Sequence, residues 1–205
     1  MVGIVNYGMG NVFSVSRAVE YVGSKVKICN NPKDLDSVEK IILPGVGAFK
    51  DCIKTLQHLG FTDALNEKVL IKGLPIYGIC LGMQVMAKKS YEFGEHHGFG
   101  WFDGTVIRVK PKDKKLKIPH VGWNAVNVNK QSPLFYEFNS IPEMYFVHSY
   151  QVDLKDEKYI DAHCWYGLKI TAAIRKNNIF GSQFHPEKSQ DLGLKVLKNF
   201  IKWQP

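Results

Sequence analysis

The sequence predicts an α/β fold with three layers, α/β/α, in which a mainly parallel central sheet is followed by an antiparallel, strand-rich C-terminal half. Two observations lead to this prediction. In the first half, short apolar runs alternate with helix-like segments, as in parallel sheets with right-handed crossovers. In the second half, apolar runs follow one another through hairpin-like turns such as Asn177-Asn178. No internal repeat or linker is found, so residues 1–205 are expected to form one domain.

The individual elements follow from apolar runs, caps and turn residues. Val2–Asn6 is a short apolar run of the kind that forms buried parallel strands. After the turn at Gly8–Gly10, Asn11 is a good N-cap for a helix over Val12–Val22. Further helices are predicted at Phe49–Leu59, Thr62–Ile71, Leu81–Lys89 and Gln190–Ile201. Further strands are predicted at Lys25–Cys29, Lys40–Leu43, Pro75–Ile79, Thr105–Val109, Val121–Val128, Glu143–Val152, Ile160–Trp165, Ile170–Lys176 and Ile179–Phe184.

Composition indicates an ordinary globular protein. The 27 Lys and Arg exceed the 19 Asp and Glu, which gives a net charge of +8. An anionic partner would explain this excess, but a solvated lysine-rich surface explains it better, because the charges are dispersed. Nucleic-acid-binding motifs are not found, and no apolar run reaches the ~18 residues of a membrane helix. The scattered cysteines favour neither disulfides nor a metal site, and with no signal-peptide pattern we expect a cytoplasmic location.

A cysteine between two glycines is the strongest chemical signal. Gly78-Ile79-Cys80-Leu81-Gly82 lies at a predicted strand-to-helix junction, where G-x-S-x-G sequences form the nucleophile elbow of hydrolases. The sharp turn leaves no room for side chains at the flanking positions, and it exposes the sulfur above the sheet edge. A lone cysteine is more often a packing residue, and this is our interpretation of Cys52 and Cys164.

The second chemical signal is Phe184-His185-Pro186-Glu187. A thiol nucleophile needs a base, and the base needs a group that orients it. His185 follows an apolar strand, and Glu187 would point the same way two residues on. Pro44-Gly45-Val46-Gly47 also follows a strand, and ligands bind at the carboxyl ends of such strands. We therefore predict that backbone N–H groups of Gly47 and Leu81 form an oxyanion hole, although a plain turn at Gly47 remains the alternative.

Together these segments resemble the class I, triad-type glutamine amidotransferases over the whole chain. The resemblance rests on Tyr77–Gln84, Pro44–Phe49 and Phe184–Ser189, in the same order. Within that group the chain is similar to the glutaminase subunits of imidazole glycerol phosphate synthase. The segments that carry this finer likeness are Asn6–Asn11, Met83, His120–Asn124, Tyr145–Tyr150 and Lys188.

The resemblance implies roles for individual residues. Cys80 would be the nucleophile, His185 the base and Glu187 the orienting carboxylate. L-Glutamine would be held by Gln84, Glu92, Ser149 and Tyr150. Tyr145 and Lys188 would face a partner, a β/α-barrel cyclase that uses the ammonia in histidine biosynthesis. No cofactor and no metal are implied, and His120, Trp123 and His148 receive no catalytic role.

Two alternatives remain open at this stage. A paralogous glutaminase could supply ammonia for the amidination of a bacterial surface sugar, and one sequence does not exclude this. A cysteine hydrolase or redox sensor of another class could share the elbow, but the H-P-E segment and Gln84 weigh against it.

Overall fold

A large mixed sheet forms the centre of the molecule. The computed structural model of the chain describes residues 1–204. Its strands are β1 (Val2–Val5), β2 (Val26–Cys29), β3 (Lys40–Gly45), β4 (Ile76–Cys80), β5 (Ala87–Ser90), β6 (His96–His97), β7 (Phe102–Arg108), β8 (His120–Val128), β9 (Glu143–His148), β10 (Tyr150–Leu154), β11 (Ile160–Trp165), β12 (Lys169–Lys176) and β13 (Ile179–Ser182). The nine-stranded sheet has the order β2-β1-β3-β4-β13-β12-β11-β8-β9. The first five strands in this order, from β2 through β1, β3 and β4 to β13, are parallel to one another. The remaining strands pair antiparallel, as the sequence predicts.

Helices cover both faces of this sheet. They are α1 (Val12–Tyr21), α2 (Phe49–His58), α3 (Phe61–Asn66), α4 (Leu81–Gln84) and α5 (Gln190–Lys202), and α3 continues as a π-helical segment, Glu67–Ile71. Residues of α1 and α5 pack into one apolar core, and residues of α2 and α3 pack into a second core. Alternate strand residues belong to opposite cores, as Ile4 and Val5 do. The three-layer α/β/α prediction is therefore confirmed.

Individual boundaries follow from local chemistry. The Asn11 side chain accepts a hydrogen bond from the backbone N–H of Ser14, which begins α1 at the predicted residue. Val22 accordingly caps α1 rather than extending it. Most other predicted elements agree with the structure to within two or three residues.

A second, smaller sheet was not predicted from the sequence. It has four strands in the order β10-β7-β5-β6. The helix predicted over Leu81–Lys89 is wrong beyond Gln84, because Ala87–Ser90 pairs with β7 instead. The single strand predicted over Glu143–Val152 is also wrong. It divides at Ser149, so that β9 lies at the edge of the large sheet and β10 at the edge of the small one.

None of the helices within residues 1–204 is long and apolar enough to cross a membrane. Within the same range, His, Cys, Asp and Glu side chains form no group of three or more that could hold a metal ion.

Candidate active site

Cys80 lies at the apex of a sharp turn between β4 and α4. Its backbone has φ 54° and ψ −109°, a combination that side-chain-bearing residues rarely adopt. The flanking glycines are sterically required. A Cβ at Gly78 would lie 2.6 Å from the Gly82 carbonyl oxygen, and one at Gly82 would lie 1.9 Å from the Leu43 carbonyl oxygen. The glycines therefore permit the close approach of α4 to β3 and β4 that holds the sulfur at the sheet edge.

The Pro44–Gly47 turn lies next to this elbow because β3 pairs with β4. Gly45 is in register with Cys80, and a Cβ at Gly45 would lie 2.7 Å from the Gly82 backbone nitrogen. Gly47 then adopts φ +95°, a left-handed conformation that favours glycine. The predicted neighbourhood of this turn and Cys80 is thus present in the structure.

His185 and Glu187 reach the same sheet edge from β13, the parallel neighbour of β4. His185 Nδ1 lies 2.8 Å from Glu187 Oε1, and both side chains are buried. Because a carboxylate can only accept, Nδ1 carries the hydrogen of this bond. The loop is pinned from both sides, since the His185 N–H donates to the Tyr145 carbonyl (2.9 Å) and the Ser189 hydroxyl donates to the His185 carbonyl (2.7 Å).

The environment of His185 favours its charged form. Burial lowers the pKa of the imidazole, but the neighbouring Cys80 and Glu187 outweigh this effect and raise the pKa to about 10. Nε2, the nitrogen not used by Glu187, is buried and has no hydrogen-bond partner among the described residues. His185 is therefore held by one nitrogen and has the other free for proton transfer.

Cys80 and His185 open into one pocket of about 450 Å³. Most of the residues predicted for the site line this pocket. They are Gly47, Cys80, Leu81, Gln84, Glu92, Ser149, Tyr150, His185 and Lys188. Val46, Pro119, Val147 and His148 complete the lining. Glu187 lies behind His185, and Tyr145 is outside the lining.

Hydrogen bonds order the polar side of the pocket. Gln84 Nε2 donates to the Tyr150 carbonyl and to Gln183 Oε1, both at 3.0 Å. Glu92 Oε2 accepts from the Phe49 backbone N–H at 2.6 Å, which ties the turn between β5 and β6 to the start of α2. Each of these side chains keeps one oxygen, Oε1, that makes no hydrogen bond among the described residues.

Tyr145 and Lys188 lie together beside the pocket. The Lys188 ammonium is 5.9 Å from the centre of the Tyr145 ring, within the range of a cation–π contact. Trp123 on β8 approaches the same ring edge-on at 6.0 Å. The structure thus brings together a cationic and two aromatic side chains at one rim of the site.

Two features of the site were missed by the sequence analysis. Gln183 is fully buried, and its Nε2 lies 3.5 Å from the Cys80 sulfur. A polar residue inside the buried Ile179–Phe184 run was the available signal. His120 and His148 also form a pair, with Nδ1 of the first 2.9 Å from Nε2 of the second. By contrast, His58, His96, His97 and His163 are outside the pocket lining.

The fold and the site together define a class of protein. A cysteine elbow, a buried histidine–carboxylate pair and an adjoining glycine turn meet at one sheet edge. Residues 3–203 match the family described as glutamine amidotransferase class-I. The chain therefore belongs to the class-I glutamine amidotransferases.

Sequence relatives narrow the family further. The chain is 47% identical over 202 residues to the imidazole glycerol phosphate synthase subunit HisH 1 of Campylobacter jejuni subsp. jejuni, covering 98% of this chain and 100% of the relative. It is 43% identical to the HisH subunit of Geobacter sulfurreducens, covering 97% of each chain. Within the class-I amidotransferases, the chain belongs to the family of these HisH subunits.

Solved structures support the fold. A structure of PurLQS from Thermotoga maritima matches with a TM-score of 0.76 at 20% identity, covering 98% of this chain and 96% of that one. A glutamine amidotransferase crystal structure matches with a TM-score of 0.75, also at 20% identity, covering 98% of each chain. At this identity the likeness concerns the fold alone.

Proposed function

We propose that this chain is the glutaminase subunit of imidazole glycerol phosphate synthase. It hydrolyses L-glutamine to glutamate and ammonia and delivers the ammonia to a β/α-barrel cyclase subunit, which makes imidazole glycerol phosphate and aminoimidazole carboxamide ribotide in histidine biosynthesis. The full-length identity of 47% to a HisH subunit carries the proposal. The pocket that joins Cys80 and His185 supports it chemically.

Catalysis begins at the Cys80 sulfur. The thiolate attacks the carboxamide carbon of glutamine, and the carbonyl oxygen takes the negative charge. Backbone N–H groups of Gly47 and Leu81 are the proposed donors to this oxyanion, and one such donor typically contributes about 10²–10³ in rate. When the C–N bond breaks, protonated His185 gives its Nε2 proton to the departing nitrogen, and ammonia leaves.

The second half of the reaction regenerates the enzyme. The glutamyl thioester on Cys80 is attacked by a water molecule whose proton passes to His185. Glutamate is released as the C–S bond breaks and the sulfur returns as thiolate. Glu187 keeps Nδ1 protonated throughout, so that Nε2 is always the nitrogen that exchanges protons. The net reaction is glutamine plus water to glutamate plus ammonia.

Substrate recognition is assigned to the polar side of the pocket. Both N–H groups of Gln84 are engaged by the Tyr150 carbonyl and by Gln183, which leaves Gln84 Oε1 as an acceptor. Glu92 likewise offers Oε1, because Oε2 holds the Phe49 N–H. These acceptors suit the α-ammonium group of glutamine, and Ser149 and Tyr150 are the proposed donors to its carboxylate.

The cyclase is proposed to cover the rim formed by Tyr145 and Lys188. Free ammonia released at pH 7 would mostly become ammonium, which is not a nucleophile. A docked partner with a closed path prevents this loss, so the isolated chain should have low glutaminase activity. The identity to HisH subunits over nearly the whole chain favours this function over the surface-sugar alternative and over a cysteine hydrolase or redox sensor.

The test is glutamate release from L-glutamine by the purified chain, with and without the barrel cyclase and its nucleotide ligand. Strong stimulation by the cyclase is expected, and Cys80→Ser should abolish it. Activity that survives Cys80→Ser would refute the mechanism. Cysteine-dependent activity that is indifferent to this cyclase would refute the proposed partner and leave the amidotransferase chemistry in place.

A further inference from the structure

A continuous chain of buried and partly buried hydrogen bonds runs from His120 on strand β8 to the Cys80 sulfur. We infer that Gln183 is a positioning residue at the end of this chain, which donates an N–H to the Cys80 sulfur and couples it to the glutamine-binding side chain Gln84. The inference rests on the proposed role of Cys80 as nucleophile. The observation that carries it is that Gln183 contacts both groups at once, at 3.5 Å and 3.0 Å respectively.

The orientation of the Gln183 amide follows from its neighbours. The Tyr150 carbonyl can only accept, so the Gln84 atom 3.0 Å away must be the amide nitrogen. The same nitrogen lies 3.0 Å from Gln183, so the Gln183 atom that faces it must be the oxygen. The Gln183 nitrogen therefore faces the sulfur. One backbone carbonyl thus determines which end of a second side chain meets Cys80.

The Tyr150 carbonyl is itself held by the histidine pair. It also accepts from His148 Nδ1 at 2.8 Å, so His148 Nε2 is left as an acceptor in the neutral ring. His120 Nδ1 then donates to His148 Nε2, and His120 Nε2 accepts from the Asn124 amide at 3.3 Å. Asn124 also donates to the Trp165 carbonyl. All these bonds are satisfied when both rings are neutral.

The packing keeps this arrangement fixed. His120 is stacked between the rings of Phe146 and Tyr166, with centroid distances of 4.8 and 4.0 Å. Burial lowers the pKa of His120 to about 4 and that of His148 to about 3, so the pair stays neutral at pH 7. Gln183 is fully buried, and its backbone N–H donates to the Ala172 carbonyl.

The chemical consequence concerns the charge on sulfur. A hydrogen bond to a charged acceptor is about twice as strong as one between neutral groups, so an amide N–H stabilises the thiolate more than the thiol. The oxygen of the same Gln183 amide accepts a hydrogen bond from Gln84, the proposed glutamine-binding residue. One side chain therefore aligns the substrate-binding residue and the nucleophile. Other titratable groups beside the sulfur or in the pocket into which it opens are Tyr7, Glu92, His148, Tyr150, His185, Glu187 and Lys188. The substitutions proposed below leave all of them in place.

The test substitutes Gln183→Glu, which retains the oxygen that accepts from Gln84 and replaces the N–H donor with a second oxygen. The readout is the rate at which iodoacetamide alkylates the folded chain between pH 5 and pH 10, with Cys80→Ser as the blank. The remaining cysteines are fully buried, so the signal reports Cys80. We expect the pH midpoint of alkylation to rise by about one unit, with a roughly 10-fold lower rate below it.

Gln131→Glu is the matched control, since it adds the same charge at an exposed position. If Gln183→Glu has the same alkylation midpoint as this control, the inference is overturned. Because the carboxylate of Gln183→Glu would itself repel a thiolate 3.5 Å away, Gln183→Met, which has no donor and no charge, is measured beside it. Gln183→Met should also raise the midpoint, and an unchanged midpoint in this variant would refute the inference whatever Gln183→Glu does. Glutaminase activity that survives Cys80→Ser would instead count against the proposed nucleophile.

Discussion

The two halves of the molecule build the site by different physical means. The N-terminal half positions Cys80 and the Gly47 turn through backbone geometry, and its essential contacts are places where glycine leaves room for another chain segment. The C-terminal half positions His185 and Gln183 through side-chain hydrogen bonds between buried groups. Substitutions in the first half should therefore act by steric exclusion, whereas those in the second should act on charge and on the position of protons.

The largest expected effect is on the steric side of this comparison. Gly82→Ala places a Cβ 1.9 Å from the Leu43 carbonyl oxygen, and this atom belongs to backbone that cannot rotate away. We expect the free energy of unfolding to fall by more than about 3 kcal/mol, measured by urea denaturation. A loss below about 1 kcal/mol would contradict the view that the elbow is set by backbone exclusion.

Gly47→Ala is the matched control for this substitution. Its Cβ would meet the end of the flexible Met9 side chain at 3.1 Å, so the main cost is the left-handed backbone at φ +95°. The chain should stay folded, with a loss of about 1–2 kcal/mol. Alanine keeps the backbone N–H but disfavours φ +95°, so the turn should relax and aim this N–H away from the oxyanion. If the turn contributes to the oxyanion hole as proposed, the glutaminase rate should then fall by up to about 10²–10³-fold.

The second prediction concerns the charge-based half. Glu187→Gln retains the shape of the side chain but removes the charge that helps to raise the pKa of His185. We expect the glutaminase kcat of the cyclase complex to fall roughly 10²–10⁴-fold. The unfolding midpoint should change much less than in Gly82→Ala. Glu20→Gln, at an exposed position on α1, is the control, and equal activities of the two variants would refute the orienting role.

The third prediction is a pH dependence of stability from the histidine pair, which is small for each step in pH and accumulates over the acidic range. The folded-state pKa values of His120 and His148, about 4 and about 3, lie below the ordinary value of 6.5. Between these pH values the unfolded chain therefore binds more protons than the folded chain. Stability should therefore fall as the pH drops from about 6.5 towards 4. The contribution of His185 to stability has the opposite pH dependence. Because the pKa of His185 is raised, this contribution is present below pH 6.5 and is lost as the pH rises towards 10.

The measurement compares unfolding free energies at several acidic pH values. His148→Asn should reduce the slope by about 1.4 kcal/mol per pH unit, which corresponds to one proton. His58→Asn, at an exposed position, is the control. An unchanged slope in His148→Asn would mean that the pair does not stay neutral in the folded protein.

Much of the fold and of the candidate site could be predicted because their signals are local. The alternation of strands and helices, the glycines around Cys80 and the spacing of His185 and Glu187 all lie within short segments of sequence. The proximity of the Gly47 turn to Cys80 followed from the rule that parallel strands end at one edge. That residues 1–205 form a single domain stays a prediction, and so do the roles assigned to the individual site residues.

The errors lie where distant segments decide the outcome. Ala87–Ser90 has no local signal that ends the helix, and it becomes a strand because β7 is available to pair with it. The extended run through Ser149 changes sheets because β7 and β8 take different parts of it. Gln183 meets Gln84 across 99 positions, so its role was not visible in the sequence.

The backbone at Cys80 has a consequence for how this protein tolerates change. A residue with a side chain held at φ 54° and ψ −109° costs about 1–3 kcal/mol, which glycine would largely avoid. Selecting variants for heat resistance alone would therefore also favour glycine at position 80, which removes the proposed nucleophile. Because stability and activity make opposite demands at this position, any engineering of this scaffold has to screen for turnover as well as for melting temperature.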